Sequence, residues 1–204
     1  EICACLVGSE MCIRDSQYVS TPKMFIHEYD LSVEQHPEDF LSEVTVKGVA
    51  LDSSAVFTFC LNPGLTIHSV HSAGQQLKFK RDKQIVLVDF GTKHAKGDTI
   101  SATFRYDGQI DNSFCYLDIP PEVLQASNKK FLFNIDKQYS FQTKNYLMLT
   151  PETYWYPRAG TSYSDKNPDW QQTYFSNYRL KVKPLPGLVP LSQGEGKCDE
   201  EGVY

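Results

Sequence analysis

The sequence predicts an all-β fold, an antiparallel β-sandwich or saddle. Apolar residues recur at period two along most of the chain. The apolar runs are short, spaced about ten residues apart, and separated by Gly, Pro and Asn breaks, while helical periodicity is nearly absent. In the first run Tyr29, Leu31 and Val33 alternate with Glu28, Asp30, Ser32 and Glu34, so one face of a strand lies on a core and the other on water. Val44 and Val46 alternate with Thr45 and Lys47. Gly48 then shifts the phase, leaving Val49 and Leu51 out of step as a β-bulge would. Phe57, Phe59 and Leu61 form the next apolar face, which Asn62-Pro63-Gly64 ends in a turn. Leu65 and Ile67 open a further strand. Leu77 and Phe79 alternate with Gln76, Lys78 and Lys80 before a turn at Arg81-Asp82-Lys83. Ile85 to Phe90 is apolar on both faces, the pattern of a central strand. Ile100, Ala102, Phe104 and Tyr106 alternate with Thr99, Ser101, Thr103 and Arg105.

From Asp107 to Thr150 the pattern weakens. Pro120-Pro121 breaks the chain, Glu122 to Ser127 suits one helical turn, and Phe131-Leu132-Phe133 and Tyr146 to Leu149 suit two more strands. An aromatic, turn-rich segment runs from Pro151 to Trp170. The last clear strand has Tyr178, Leu180 and Val182 inside and Asn177, Arg179, Lys181 and Lys183 outside; Pro184 to Gly187 turns it and Leu188 to Leu191 returns. The expected core is Val44, Val46, Phe57, Phe59, Ile67, Leu87, Ile100, Phe104, Leu180 and Val182, buried between antiparallel sheets. With no internal repeat and no linker, residues 22–204 read as one domain.

The first residues stand apart. The run Cys5 to Ser16 resembles a translated sequencing adapter: the transposon end AGATGTGTATAAGAGACAG reads in one frame as Glu10-Met11-Cys12-Ile13-Arg14-Asp15-Ser16. A secretory signal fits less well, because Glu1 replaces the basic start and the apolar run is short. Residues 1–21 are therefore expected to be a leader that packs poorly, and the chain ends to be set by fragment length.

Composition excludes several functions. The net charge is −5, and removing Glu1, Glu10 and Asp15 against Arg14 leaves −3. No cluster of Lys and Arg suits a nucleic-acid surface, so no nucleic-acid partner is expected. No stretch is apolar for long enough to span a bilayer as a helix. Outside the leader only Cys60, Cys115 and Cys198 remain, an odd number without C-x-x-C spacing, which suits neither a disulfide framework nor a zinc knuckle. Cys60 reads as a small buried apolar residue. The histidines, His27, His36, His68, His71 and His94, include no H-E-x-x-H pair. His68 and His71 lie in a strand, where their rings point to opposite faces, and His27 diverges from its neighbour Glu28 in the same way. Asp107, Asp111 and Asp118 lack a fixed spacing and read as solvated loop acids. There is neither a G-x-S-x-G elbow nor a phosphate-cradling glycine loop. No catalytic residue and no metal ligand set is expected in this chain.

The informative segment lies further on. It reads Thr150-Pro151-Glu152-Thr153-Tyr154-Trp155-Tyr156-Pro157-Arg158, then Tyr174-Phe175-Ser176-Asn177-Tyr178-Arg179-Leu180-Lys181-Val182, then Leu185-Pro186-Gly187-Leu188-Val189-Pro190-Leu191-Ser192-Gln193-Gly194-Glu195. Upstream stand Leu61-Asn62-Pro63-Gly64-Leu65-Thr66-Ile67 and Phe104-Arg105-Tyr106-Asp107-Gly108. Together these resemble the amino-terminal domain of the aminopeptidase N family of zinc metallopeptidases (gluzincins), over about Phe25 to Tyr204. The resemblance looks closest to large bacterial proteins in which this module is fused to an ABC-type permease. It implies a non-catalytic domain whose partner is the catalytic domain of the same parent chain, with zinc bound there and membrane permease segments beyond.

In that family an acidic or amide residue upstream of the aromatic-Pro turn helps bind the substrate's free amine. The family spacing lands here on Tyr146 and Met148, which do not suit that role, and Glu152 serves only if the loop is shortened. The resemblance also makes Tyr154, Trp155, Tyr156 and Trp170 the surface that meets the catalytic domain. A different class of function is a carbohydrate-binding sandwich, in which Tyr154, Trp155, Tyr156, Tyr163, Trp170 and Tyr174 form a stacking platform beside Gln171 and Gln172. A third is a pure protein-interaction module.

Overall fold

The computed structural model describes residues 22–112, 139–161, 175–199 and 203–204. Twelve strands are described: β1 (Met24–Gln35), β2 (Phe40–Ala50), β3 (Ser54–Cys60), β4 (Leu65–Ser72), β5 (Gln75–Gln76), β6 (Lys78–Asp82), β7 (Ile85–His94), β8 (Thr99–Gly108), β9 (Ser140–Thr143), β10 (Tyr146–Leu149), β11 (Arg158–Ala159) and β12 (Asn177–Lys183). They form a six-stranded sheet in the order β12-β1-β2-β8-β4-β5, a four-stranded sheet β11-β3-β7-β6, and the hairpin β10-β9. The all-β reading holds. The expected helical turn at Glu122 to Ser127, the strand at Phe131 to Phe133 and the leader lie outside the described residues.

The core lies between the two larger sheets and follows the alternation. On β8 Ile100, Ala102, Phe104 and Tyr106 are buried, and on β2 Phe40, Val44, Val46 and Ala50. From β3, Phe59 meets Phe104 across the sandwich edge to face at 5.0 Å, and Phe57 meets Phe90 of β7 at 5.4 Å. Such ring pairs add about 1 kcal/mol to the burial of their area. Six of the ten expected core residues are buried: Val44, Val46, Phe57, Phe59, Ile100 and Phe104. Ile67, Leu87, Leu180 and Val182 are half-buried instead. On β7 the core face is Val86 and Val88, which puts Leu87 on the opposite face, and β7 does lie centrally between β3 and β6. β12 ends the six-stranded sheet, with β1 its one partner strand among the described residues and Tyr204 bonded to Val182 on the other side, so Leu180 and Val182 are covered less and Tyr178 is exposed.

Two details of register differ from expectation. Alternation runs unbroken through β2, so Gly48 is buried in step and Val49 and Leu51 turn outward. The bulge sits opposite, in β1, where the register shifts between Ile26 and Glu28. It moves the inward phase from Met24 and Ile26 to Leu31 and Val33. Gly48 is needed for close approach: a Cβ there would lie 2.3 Å from the Phe25 carbonyl oxygen. Secondly, β12 pairs with β1 in parallel, Glu28 to Glu34 against Asn177 to Lys183, while the other described pairings are antiparallel.

The outer face of the six-stranded sheet carries paired charges: Lys47 with Glu28 at 2.7 Å, Lys183 with Glu34 at 2.7 Å and Arg179 with Asp30 at 3.4 Å. Lys47 and Lys183 hold the carboxyls of Glu28 and Glu34 below their ordinary range, first by hydrogen bonding and then by charge. These pairs are exposed, so they add little stability and mainly keep the face in water.

Candidate functional site

The aromatic segment is set in place by Asn62, in the turn after β3. Its side chain is saturated. The amide nitrogen donates to the carbonyls of Thr153 at 2.8 Å and Asp111 at 3.1 Å, and the amide oxygen accepts from the N–H groups of Gly64 at 2.9 Å and Asp111 at 2.8 Å. Its backbone N–H donates to the Tyr154 carbonyl at 2.9 Å. The turn is braced by Arg81 of β6, in the same sheet as β3, whose guanidinium donates to the carbonyls of Leu65, Asn62 and Lys83. Burial lowers the Arg81 pKa. A buried polar group fully satisfied in this way fixes one geometry, because any rearrangement strands a donor or acceptor away from water.

From that anchor the chain enters a 3-10 turn at Pro151–Thr153, and Tyr154 closes it with an N–H donated to the Pro151 carbonyl at 3.1 Å. Tyr154 has φ 52° and ψ 41°, the left-handed conformation that a bulky aromatic rarely adopts. Holding it there costs on the order of 1–3 kcal/mol. The surroundings supply that energy: the ring is buried beside Cys60, and Arg158 stacks over it at 5.3 Å. Tyr154 was expected on an open surface; it is instead 8% exposed within its own domain. The left-handed twist is what sends its ring inward and the next two rings the other way.

Trp155 and Tyr156 are half-buried and turn toward the inner face of β1. Tyr156 meets Tyr29 edge to face at 5.2 Å, Trp155 meets Tyr156 at 4.9 Å, and Tyr106 donates its hydroxyl to the Trp155 carbonyl at 2.8 Å. Between these rings and the inner side of β1 and β12 lies an open cleft of about 660 Å³, whose lining includes Tyr29, Leu31, Leu149, Trp155, Tyr156 and Leu180. Burial pushes the Tyr29 and Tyr106 phenols far above the ordinary tyrosine value, and the Tyr156 phenol above it as well. All three stay neutral at working pH. The cleft therefore joins uncharged ring surface to polar side chains, among them Arg158, Ser176 and Gln193.

Glu152 lies exposed on the 3-10 turn and does not line the cleft, although its charge helps raise the Tyr156 phenol. Trp170, Tyr163, Tyr174, Gln171 and Gln172 lie outside the described residues, as does Asp118. Asp107 faces His68 across β8 and β4 at 2.8 Å, and Asp111 joins the Asn62 network through its backbone. Sequence reasoning missed Asn62 as a hub and Tyr29 as part of the aromatic cluster. The first looked like an ordinary turn residue and the second like one more apolar strand position.

A zinc site would need several donors converging on one point. Among the described residues no three His, Cys, Asp or Glu side chains come together in that way. The described residues do not fit a zinc ion.

The fold defines a class: an all-β domain of two packed sheets with an aromatic cleft at one edge. No protein-family model and no curated protein sequence matches the chain. Solved structures with similar folds include M1 zinc metallopeptidases. The M1 zinc metallopeptidase from Deinococcus radiodurans is 15% identical with a TM-score of 0.50, over 79% of this chain and 32% of that one. A mutant M1 zinc metallopeptidase from the same organism, bound to a Tyr-Ser-Ala substrate, gives 15%, 0.51, 78% and 32%. A two-domain M1 zinc metallopeptidase mutant bound to L-arginine gives the same four values. The chain thus spans about a third of the length of the structures it resembles, and at this identity the likeness is one of fold.

Proposed function

We propose that this chain is a non-catalytic amino-terminal domain of an aminopeptidase-type zinc metallopeptidase, one that packs against a catalytic domain and helps to shape its substrate cleft. The observation that carries the proposal is the fold likeness to one third of the M1 enzymes, over more than three quarters of this chain. The motifs from Thr150 to Glu195 point independently to the same family. Trp155 and Tyr156, half-buried beside the open cleft, are the contact residues on this reading, since aromatic side chains are enriched where domains meet. Trp170 is assigned to the same surface and Glu152 to the substrate's amine, both on the sequence motifs alone. The finer likeness to permease-fused bacterial proteins also rests on the motifs alone.

The carbohydrate reading gains no support from the cleft. A sugar ring needs an open aromatic face, whereas Trp155, Tyr156 and Tyr29 are packed edge on to one another and Tyr154 is buried. The test is to recover the coding sequence contiguous with Tyr204 and express the longer protein. A following H-E-x-x-H helix, bound zinc and hydrolysis of free-amine peptides are expected. Trp155→Ala and Tyr156→Ala in that protein should raise KM more than they lower kcat. A continuation without zinc ligands would overturn the proposal.

A further inference from the structure

The chain crosses from one sheet to the other at the turn between β3 and β4, and one side chain clamps that crossing. Arg81 stands on β6, in the four-stranded sheet with β3, whereas Leu65 opens β4 in the six-stranded sheet. Its Nε donates to the Lys83 carbonyl at 2.7 Å and one terminal nitrogen to the Leu65 carbonyl. The other terminal nitrogen donates to the carbonyls of Asn62 at 2.6 Å and Leu61 at 3.4 Å. Four carbonyl oxygens, from the end of β3, the turn, the start of β4 and the β6–β7 hairpin, thus surround one half-buried guanidinium. No carboxylate pairs with it among the described residues. A charge drawn out of water is ordinarily matched by an opposite charge; here backbone dipoles take that role. We propose that these carbonyls form a guanidinium-selective site, filled by Arg81 from the chain itself, and that its filling positions Asn62 and through it the aromatic segment.

The selectivity follows from shape. All three guanidinium nitrogens are engaged, and a planar fork holds them at fixed angles to reach acceptors on separate segments. A lysine ammonium gathers its donors on one atom of a flexible stem, so it matches fewer of these acceptors. An apolar side chain of the same length keeps the packing of the stem and leaves the carbonyls without their donor. The link to the cleft runs through Asn62. Arg81 holds the carbonyls of Leu61 and Asn62, which belong to the peptides on either side of the Asn62 α-carbon. From the same residue the N–H donates to the Tyr154 carbonyl at 2.9 Å and the side chain to the Thr153 carbonyl at 2.8 Å. Arg81 does not line the cleft and is a positioning residue for it.

The test uses the whole chain carrying Arg81→Ala, Arg81→Met or Arg81→Lys, with ethylguanidinium as the probe, because it restores the atoms that Arg81→Ala removes. Arg81→Ala is expected to lower the thermal midpoint by roughly 5–10 °C. Ethylguanidinium at about 50 mM should return roughly 3 °C of that by mass action. Ethylammonium and sodium chloride at the same concentration should return less, and the unaltered chain, whose site is filled, should not gain. Amide hydrogen exchange supplies the readout that a general loss of stability would not move. In Arg81→Met the Asn62 amide should exchange about tenfold faster while amides in the middle of β8 change less, and Arg81→Lys should fall between. Should Arg81→Ala fail to fold, the exchange comparison in the other two variants decides. Equal recovery by ethylammonium, an Arg81→Met midpoint equal to that of the unaltered chain, or an Asn62 amide that quickens no more than those of β8 would overturn the proposal.

Discussion

The Asn62 side chain donates to the Thr153 carbonyl at 2.8 Å, with both residues fully buried and 91 positions apart in sequence. This bond fixes the start of the aromatic segment to the turn after β3, and Trp155 and Tyr156 follow from it, whereas Tyr29 is held by β1.

Asn62→Ala should therefore cost more than an ordinary buried side chain of its size. It leaves the Thr153 carbonyl and the N–H groups of Gly64 and Asp111 without the side-chain partner, at a cost of about 3 kcal/mol. Urea unfolding should show a lower midpoint at unchanged slope. Trp155 fluorescence should broaden in the native state if the segment loosens as argued.

Gly48→Ala should destabilise by about 2 kcal/mol, because the new methyl group meets the Phe25 carbonyl and the Met24 side chain at the β1 bulge. Gly196→Ala, where nothing lies within 4 Å, is the control and should change stability by less than about 0.5 kcal/mol. Equal thermal midpoints for the two variants would place the close approach elsewhere.

Alkaline pH should unfold the domain. The phenols of Tyr29, Tyr106 and Tyr156 are raised in the folded state, first by burial. A raised folded pKa means that the neutral form is the one the fold favours. That stability is fully present below the unfolded value of about 10 and is lost as pH rises from there toward the folded values. Stability measured by urea should be flat up to about pH 9 and fall beyond pH 10. The share of the phenolate absorbance that comes from Tyr29, Tyr106 and Tyr156 should rise with unfolding rather than before it. Tyr29→Phe should make the fall shallower.

Purified chain is expected to carry substoichiometric zinc and to release no amino acid from peptides with a free amine, since no donor set converges among the described residues. Chelator treatment should leave its thermal midpoint unchanged. One zinc held per chain through gel filtration would contradict this.

How much of this was legible depends on where the constraint lies. β8 was readable residue by residue, since Ile100, Ala102, Phe104 and Tyr106 face one core and the intervening residues face the other way. The parallel placement of β12 beside β1 was not, because alternation records which face is buried and says nothing about the neighbour's direction. The bulge was sensed at the right level of the sheet but in the wrong strand: the close approach at Gly48 belongs to β2, whereas the extra residue belongs to β1. The aromatic segment stands out in the sequence, yet its sidedness is hidden there. Nothing in Tyr154-Trp155-Tyr156 announces that the first ring adopts a left-handed backbone and turns inward while the other two face the cleft. Asn62 was unreadable for a related reason, since its partners lie 49 and 91 residues away.

The parallel seam between β1 and β12 has a consequence for how the domain is made. β1 begins at Met24 and its second neighbour ends at Lys183, so that side of β1 stays open until nearly the whole domain has left the ribosome. At roughly 5–20 residues per second, this amounts to about ten seconds or more of synthesis. The β1–β2 hairpin and β8 can assemble earlier, but closing the seam is a late, long-loop event, slow by the entropy of bringing distant segments together. During that interval the nascent chain shows Tyr29 and Leu31 beside an unsatisfied backbone edge, a target for chaperones and for aggregation. Ribosome-stalled chains ending before Asn177 should be far more protease-sensitive along β1 than chains extended beyond Lys183.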